Sequence, residues 1–204
     1  MGELRSTLER SRALGFLGPG PVEDHITHAE RFAAAYRGEP PARALDLGSG
    51  GGVPGLILAG MWPSTTWWLL DANQRRTSFL NAAVEDLGLQ HRVQVIHGRA
   101  EVCAREDELR GRMNLVTSRS FGPPAVTAEC ATAFLCVGGS LVVSEPPGPD
   151  DGSASPSRWD AVGLAVLGME PTEALAGCQV IKQITLSPDR YPRRVGIPAK
   201  RPLF

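Results

Sequence analysis

The sequence has few of the features that mark specialised protein classes. Only four cysteines occur in 204 residues, Cys103, Cys130, Cys136 and Cys178, and none stands as C-x-x-C. That spacing argues against a zinc ribbon or a thioredoxin-like redox pair. Free buried thiols of an intracellular chain fit better than a disulfide frame. No charge of one sign dominates, the formal net charge being −1. The basic excess that usually marks a nucleic-acid binder is missing from the bulk composition, which leaves room for a local basic patch. No apolar run approaches the ~18 residues of a membrane span. The longest lie near residues 55–62 and 134–143. The N-terminal MGELRSTLERSR alternates charges and has no apolar segment, unlike a signal peptide. These absences predict a soluble, intracellular, single-domain protein; a cytoplasmic location, a monomer, no membrane partner and no metal site are the accompanying expectations.

What is present is enough to build a core. Apolar residues make up 42%, and glycine raises that to roughly 53%, slightly above the usual globular share. Residues 3–37 carry apolar positions at three- and four-residue spacings, and Gly15 and the Gly18-Pro19-Gly20-Pro21 stretch divide them into two helices. We take residues 1–40 as an N-terminal helical extension and 41–204 as the main domain. From Arg43 the pattern alternates. RALDLG, TWWLLD, VQVIHG, MNLVTS and GGSLVVSE read as strands. VPGLILAGMW, QRRTSFLNAAVEDLG, RAEVCARED and PPAVTAECATAFL read as the helices between them. Such alternation implies right-handed βαβ units in a parallel, doubly wound sheet. Residues 145–158 have loop composition. A helix is expected around 157–167 and a strand around 179–185, followed by a Pro- and Arg-rich tail.

The strongest chemistry lies in the glycine loop after the first strand, Asp46-Leu-Gly48-Ser-Gly50-Gly-Gly52-Val53-Pro-Gly55. Glycines allow a sharp turn and close approach of a ligand. Asp71 ends the second strand, where a carboxylate typically holds ribose hydroxyls. Two cofactors compete. Gly50-x-Gly52-x-x-Gly55 is a dinucleotide fingerprint. Asp46-x-Gly48-x-Gly50-x-Gly52 is the pattern of S-adenosylmethionine binding. A pyrophosphate on the helix N-terminus would face the Asp46 carboxylate, whereas a sulfonium and an ammonium would be attracted to it. Electrostatics therefore favours S-adenosylmethionine.

DLGSGGGVPGLILA, LLDANQRRTSFL, GRAE, VTSRSF and the ending YPRRVGIPAKRPL together resemble the successive motifs of the RsmG (GidB) family. The resemblance spans roughly residues 43–144 and 178–204. Members are bacterial enzymes that methylate N7 of a guanine in small-subunit (16S) ribosomal RNA. It implies an α/β, Rossmann-like class I methyltransferase fold, with a doubly wound, mostly parallel sheet and an N-terminal helical extension. It implies S-adenosylmethionine as cofactor, and ribosomal RNA or the small ribosomal subunit as partner. Position by position, Gly48 would offer backbone and Val53 apolar contact to the cofactor. Ala100 and Glu101 would flank the adenine, and Arg119 would lie between cofactor and substrate. With Asp46, Gly50 and Asp71 these make the expected cofactor site. After the fifth strand the family commonly has Lys-Gly, where this chain reads Ser144-Glu145-Pro146-Pro147-Gly148. The family's W-N-x-x-x-N-L-T-like N-terminal stretch is missing.

The tail 189–204 carries a net charge of +4 on a remainder of −5, a separation suited to tracking phosphates. Arg193, Arg194 and Lys200 of that tail, and Arg75 at the start of a crossover helix, are the expected RNA contacts. Phe121 is the candidate for stacking the target base, and Trp68 belongs in the core. His25 and His28 read as a polar helix face. Guanine N7 has a free lone pair, so no general base is needed and positioning carries the catalysis. The alternatives are a methyltransferase of the same fold acting on another RNA or a small molecule, an NAD-type oxidoreductase, and a non-catalytic binding protein.

Overall fold

The structure is a computed structural model and describes residues 2–146 and 157–204. Most of the stretch read as a loop, 147–156, lies outside the described residues. Two helices, α1 (Gly2–Ala13) and α2 (Val22–Ala35), precede the first strand. The alternating region follows: β1 (Arg43–Leu47), α3 (Gly55–Met61), β2 (Thr66–Asp71), α4 (Gln74–Asp86), β3 (Val93–His97), α5 (Ala100–Cys103), β4 (Met113–Ser118), α6 (Pro124–Thr132) and β5 (Leu135–Ser144). The chain closes with α7 (Ala161–Val166), β6 (Met169–Leu175), β7 (Cys178–Gln183) and α8 (Ile197–Lys200).

The sheet order is β3-β2-β1-β4-β5-β7-β6. The first five strands are parallel, and β7 runs antiparallel to both β5 and β6. The order reverses between β1 and β4. Open α/β sheets bind ligands at the carboxyl ends of strands beside such a reversal.

Period-two alternation assigns the core. On β2, Trp67 and Leu69 face one apolar cluster while Trp68 and Leu70 face the other. Trp68 is thus a core residue, as expected. Both faces of β1, β2 and β4 are covered, which explains their nearly unbroken apolar runs, whereas the edge strand β3 is partly exposed. In α1 and α2, Leu8, Val22 and Ala29 pack against Val53 and Ile57, so the N-terminal helices share the domain's apolar packing.

Several boundaries differ from the sequence reading. Helix α3 starts after Pro54 rather than including it. The segment Ala133–Leu135, read as helix, leaves α6 and opens β5, with a register irregularity against β4 before Ser140. Strand β6 is additional: Met169–Leu175 pairs along one side of β7 and forms the sheet edge. No described helix is long and apolar enough to cross a membrane.

Candidate active site: two adjoining clefts at the sheet reversal

The loop after β1 is tied to the end of β2. Gly48 and Ser49 both donate their N–H to the Leu70 carbonyl, at 2.9 and 3.0 Å. The Gly50 N–H donates to Asp71 Oδ2 at 2.8 Å, and the Asn73 N–H to Asp71 Oδ1 at 2.8 Å. Gly48 lies in the left-handed region at φ 73°, and a Cβ there would sit 2.7 Å from Phe121 Cδ2. Glycine is therefore required twice, by conformation and by contact.

A first cleft of about 350 Å³ opens beside this loop, lined among others by Gly48, Asp71, Gly98, Ala100, Glu101 and Phe121. That volume lies within the usual range for ligand clefts. The structure thus brings Gly48, Asp71, Ala100 and Glu101 together, although they are spread over more than fifty positions of sequence. Burial raises the Glu101 carboxyl, but the Gly196 N–H and the Arg99 guanidinium outweigh it and hold it below the usual carboxylate range. Two acids, glycine backbone that a ligand can approach without meeting a Cβ, and apolar patches at Val126 and Cys130 fit S-adenosylmethionine. Each Asp71 oxygen keeps a lone pair beyond its one backbone partner. Those lone pairs suit ribose hydroxyls. The sulfonium and ammonium would meet two carboxylates whose own partners are Arg76, 3.8 Å from Asp71, and Arg99, 3.4 Å from Glu101.

Four expected cofactor contacts are corrected. Asp46 is buried beneath the loop, where Oδ1 accepts from Thr117 Oγ1 at 2.8 Å and Oδ2 from the Gly55 N–H at 3.1 Å. It braces the loop against β4 and α3 and does not line the cleft. Burial pushes its carboxyl up to about 6, against the opposing bonds from Thr117 and Gly55. Val53 is turned inward and packs with Leu8 and Ile57 under the N-terminal helices. Gly50 serves through its N–H to Asp71. Arg119 likewise lies outside the first cleft and lines the second.

This second cleft, of about 410 Å³, is lined by residues including His28, Arg119, Phe121, Glu145, Arg158 and Trp159. Ser120, Phe121 and Gly122 line both clefts and form the wall between them. Ser120 is held at φ 55°, an uncommon conformation for a residue with a side chain. Arg119 Nη2 donates to His25 Nδ1 at 3.1 Å. The Nε2–H tautomer of His25 then donates to the Gly18 carbonyl at 3.3 Å. Burial draws the Arg119 guanidinium below its usual value, with Asp46 opposing. Burial, then Arg119, Arg31 and His25, lowers His28 to about 4. His28 Nε2 is buried without a partner. Glu145 Oε1 accepts from Trp159 Nε1–H at 2.6 Å, and Oε2 from Arg158 at 3.4 Å.

The tail is docked rather than free. Arg193 holds the buried Glu129 carboxylate through a planar fork. Arg110 donates to the carbonyls of Ser187, Pro188 and Tyr191. The Gly196 N–H donates to Glu101 Oε1 at 3.0 Å, and Ala199 lines the first cleft. Arg193 is therefore corrected from RNA contact to tail anchor. Arg75, Arg194 and Lys200 remain exposed. Glu129 and Trp159 are site-forming residues that the sequence reading does not single out, whereas Glu145 stands in the segment already noted after the fifth strand. A lone acid inside the apolar helix PPAVTAECAT was the available signal for Glu129, because a buried charge needs a partner.

Comparison with known proteins identifies the family. The family described as rRNA small subunit methyltransferase G matches residues 22–145. The chain is 33% identical to the ribosomal RNA small subunit methyltransferase G of Moorella thermoacetica, over 88% of this chain and 77% of that one. It is 33% identical to the protein of that name from Roseiflexus castenholzii, over 90% of this chain and 80% of the other. A solved structure from Klebsiella pneumoniae, described as a candidate O-methyltransferase, superposes with a TM-score of 0.58 at 13% identity. It covers 90% of each chain, and that likeness concerns the fold alone. On these matches, the chain belongs to the rRNA small subunit methyltransferase G family.

Proposed function

We propose that this chain is an S-adenosylmethionine-dependent methyltransferase acting on N7 of a guanine in small-subunit ribosomal RNA. The observation that carries the reading is the pair of clefts at the sheet reversal, divided only by Ser120, Phe121 and Gly122. One suits the cofactor and the other a flat polar base. Held beside Asp71 and the Gly48 backbone in the first cleft, S-adenosylmethionine would supply a methyl group on a sulfonium; its transfer to N7 would release the neutral thioether and leave the purine cationic, with no proton to remove.

The chain's own residues hold and orient. Asp71 and the Gly48 backbone would fix the ribose and methionine parts of the cofactor, while Ala100 and Glu101 would border the adenine. Arg119 and Phe121 would position the base, Arg119 by a polar edge and Phe121 by stacking. Near-attack positioning of this kind lowers a barrier without acid–base chemistry. Extruding the base from an unpaired RNA loop costs less than from a duplex. Arg75, Arg194 and Lys200 would meet phosphates around the clefts. Residues 1–40 act in this reading as a helical extension bracing the glycine loop. Both clefts are built from one chain, which supports action as a monomer, and ribosomal RNA as substrate supports a cytoplasmic setting.

The test is a mass-spectrometric nucleoside digest of small-subunit RNA from a strain lacking this protein. Loss of one 7-methylguanosine, restored by the wild-type gene, is expected. An unchanged digest would overturn the reading.

A further inference from the structure

The second cleft is lined by a cationic pair, Arg119 and Arg158, by His28 and, among its described lining residues, by one carboxylate, that of Glu145. Glu145 follows β5 directly, and its N–H donates to the Gly177 carbonyl at 2.9 Å. Its side chain is fixed by the Trp159 indole at 2.6 Å and by Arg158 at 3.4 Å. Each oxygen uses one acceptor site on these partners and keeps another. The result is a preorganised pair of acceptors in a cleft bordered by aromatic rings.

Among the four RNA bases only guanine presents two adjacent donors, N1–H and the 2-amino group, on its Watson–Crick edge. Adenine and cytosine each set an acceptor beside their amino donor there, and uracil has one donor between two acceptors. A carboxylate accepts both guanine donors at once. N7 lies at the opposite end of the purine from this edge. Strand β5 is one strand farther from the glycine loop than β4, and Glu145 lines the second cleft without lining the first. A base held by that edge at Glu145 therefore directs N7 toward the Phe121 wall and the first cleft.

We infer that Glu145 is the specificity-determining residue for guanine, reading N1–H and the 2-amino group while Trp159 holds its carboxylate in place. The inference rests on the methyl-transfer reading above, and it gives a role to the anion that directly follows β5. The cationic product gains from the same carboxylate, as opposite charges attract strongly in a partly desolvated cleft.

The test compares wild type with Glu145→Gln, both saturated with S-adenosylhomocysteine. The probes are two uridine oligonucleotides, one carrying a single guanine and the other a single inosine, which lacks only the 2-amino group. Fluorescence anisotropy reads affinity. Wild type is expected to prefer guanine by about tenfold or more, the discrimination usual for a bidentate contact. In Glu145→Gln the amide oxygen stays with the Trp159 N–H, so the amide NH₂ faces the guanine donors and the preference collapses. Unchanged S-adenosylhomocysteine affinity in the variant reports an intact fold. Equal wild-type affinity for the two probes, or a preference that survives Glu145→Gln, overturns the inference. Preference present but no methyl transfer in a parallel assay would instead overturn the methyltransferase reading and leave the base-reading role standing.

Discussion

Arg193 grips Glu129 across 64 positions of sequence, Nε to Oε1 at 2.8 Å and Nη2 to Oε2 at 2.6 Å, and the Arg193 N–H adds a third bond at 2.9 Å. Glu129 is fully buried. This fork pins the tail that carries Gly196 to Glu101 and Ala199 to the edge of the first cleft. Glu129→Ala removes the buried acceptor of this fork and leaves a half-buried Arg193 that water can reach, which typically costs about 2 kcal/mol. The denaturation midpoint should fall, and S-adenosylhomocysteine affinity should fall with it. A stable variant with full affinity would show that the tail does not support the cleft.

Truncation before Arg190 should likewise lower cofactor affinity, because it removes a wall of the cleft. Phosphate contacts are better tested at Arg194→Ala combined with Lys200→Ala, which leaves the anchor intact. Each phosphate contact contributes about 0.7–0.9 to the log–log salt slope of RNA binding. The double variant should flatten that slope by roughly 1.5. An unchanged slope would assign both cations to solvent.

Gly48→Ala should weaken S-adenosylhomocysteine binding by about tenfold or more, since a Cβ would meet Phe121 at 2.7 Å and the backbone is left-handed. Adding Phe121→Ala relieves the contact and should recover part of the affinity. Calorimetry on the three proteins checks this, and full affinity in Gly48→Ala would contradict it.

The loop itself was legible because its chemistry is local. Strand, glycines, helix and the Asp71 that follows all stand in one short stretch, and their order along the sheet follows from the βαβ alternation. What the sequence hid depended on distant partners or on facing. Arg193 reads as a phosphate contact until Glu129 is seen opposite it. Asp46 belongs to the end of β1 and Val53 to the loop, and both side chains turn beneath it. Strand β6 was obscured because Met169–Leu175 contains Pro171 and two glutamates, Glu170 and Glu173, which suit an edge strand and weaken the strand pattern. Arg119 and Glu145 share a cleft only because β4 and β5 are neighbours.

The buried Asp46 gives a pH signature. Its carboxyl rises from an ordinary value of 3.8 to about 6, so the folded state binds its proton more readily than the unfolded chain. That contribution is fully present below about pH 4 and is lost as pH rises through 6. Asp46→Asn can donate to Thr117 and accept from Gly55 without titrating. The stability of wild type relative to this variant should increase by up to ~3 kcal/mol as pH falls from 7 to 4. Denaturant midpoints across that range measure it, and a flat difference would place the carboxyl back at its ordinary value.

Arg119→Lys keeps the charge and loses the fork. Cofactor affinity should be unchanged, because Arg119 lines the second cleft, while turnover should fall by about tenfold or more. Turnover at the wild-type rate would remove Arg119 from base positioning.

The central claim is methyl transfer to guanine N7 from the paired clefts. The direct measurement incubates purified protein with methyl-deuterated S-adenosylmethionine and unmethylated small ribosomal subunits, then digests the RNA and identifies labelled nucleosides by mass spectrometry. The account predicts deuterated 7-methylguanosine at one position. Label on another nucleoside, or none with an active cofactor-binding protein, would contradict it.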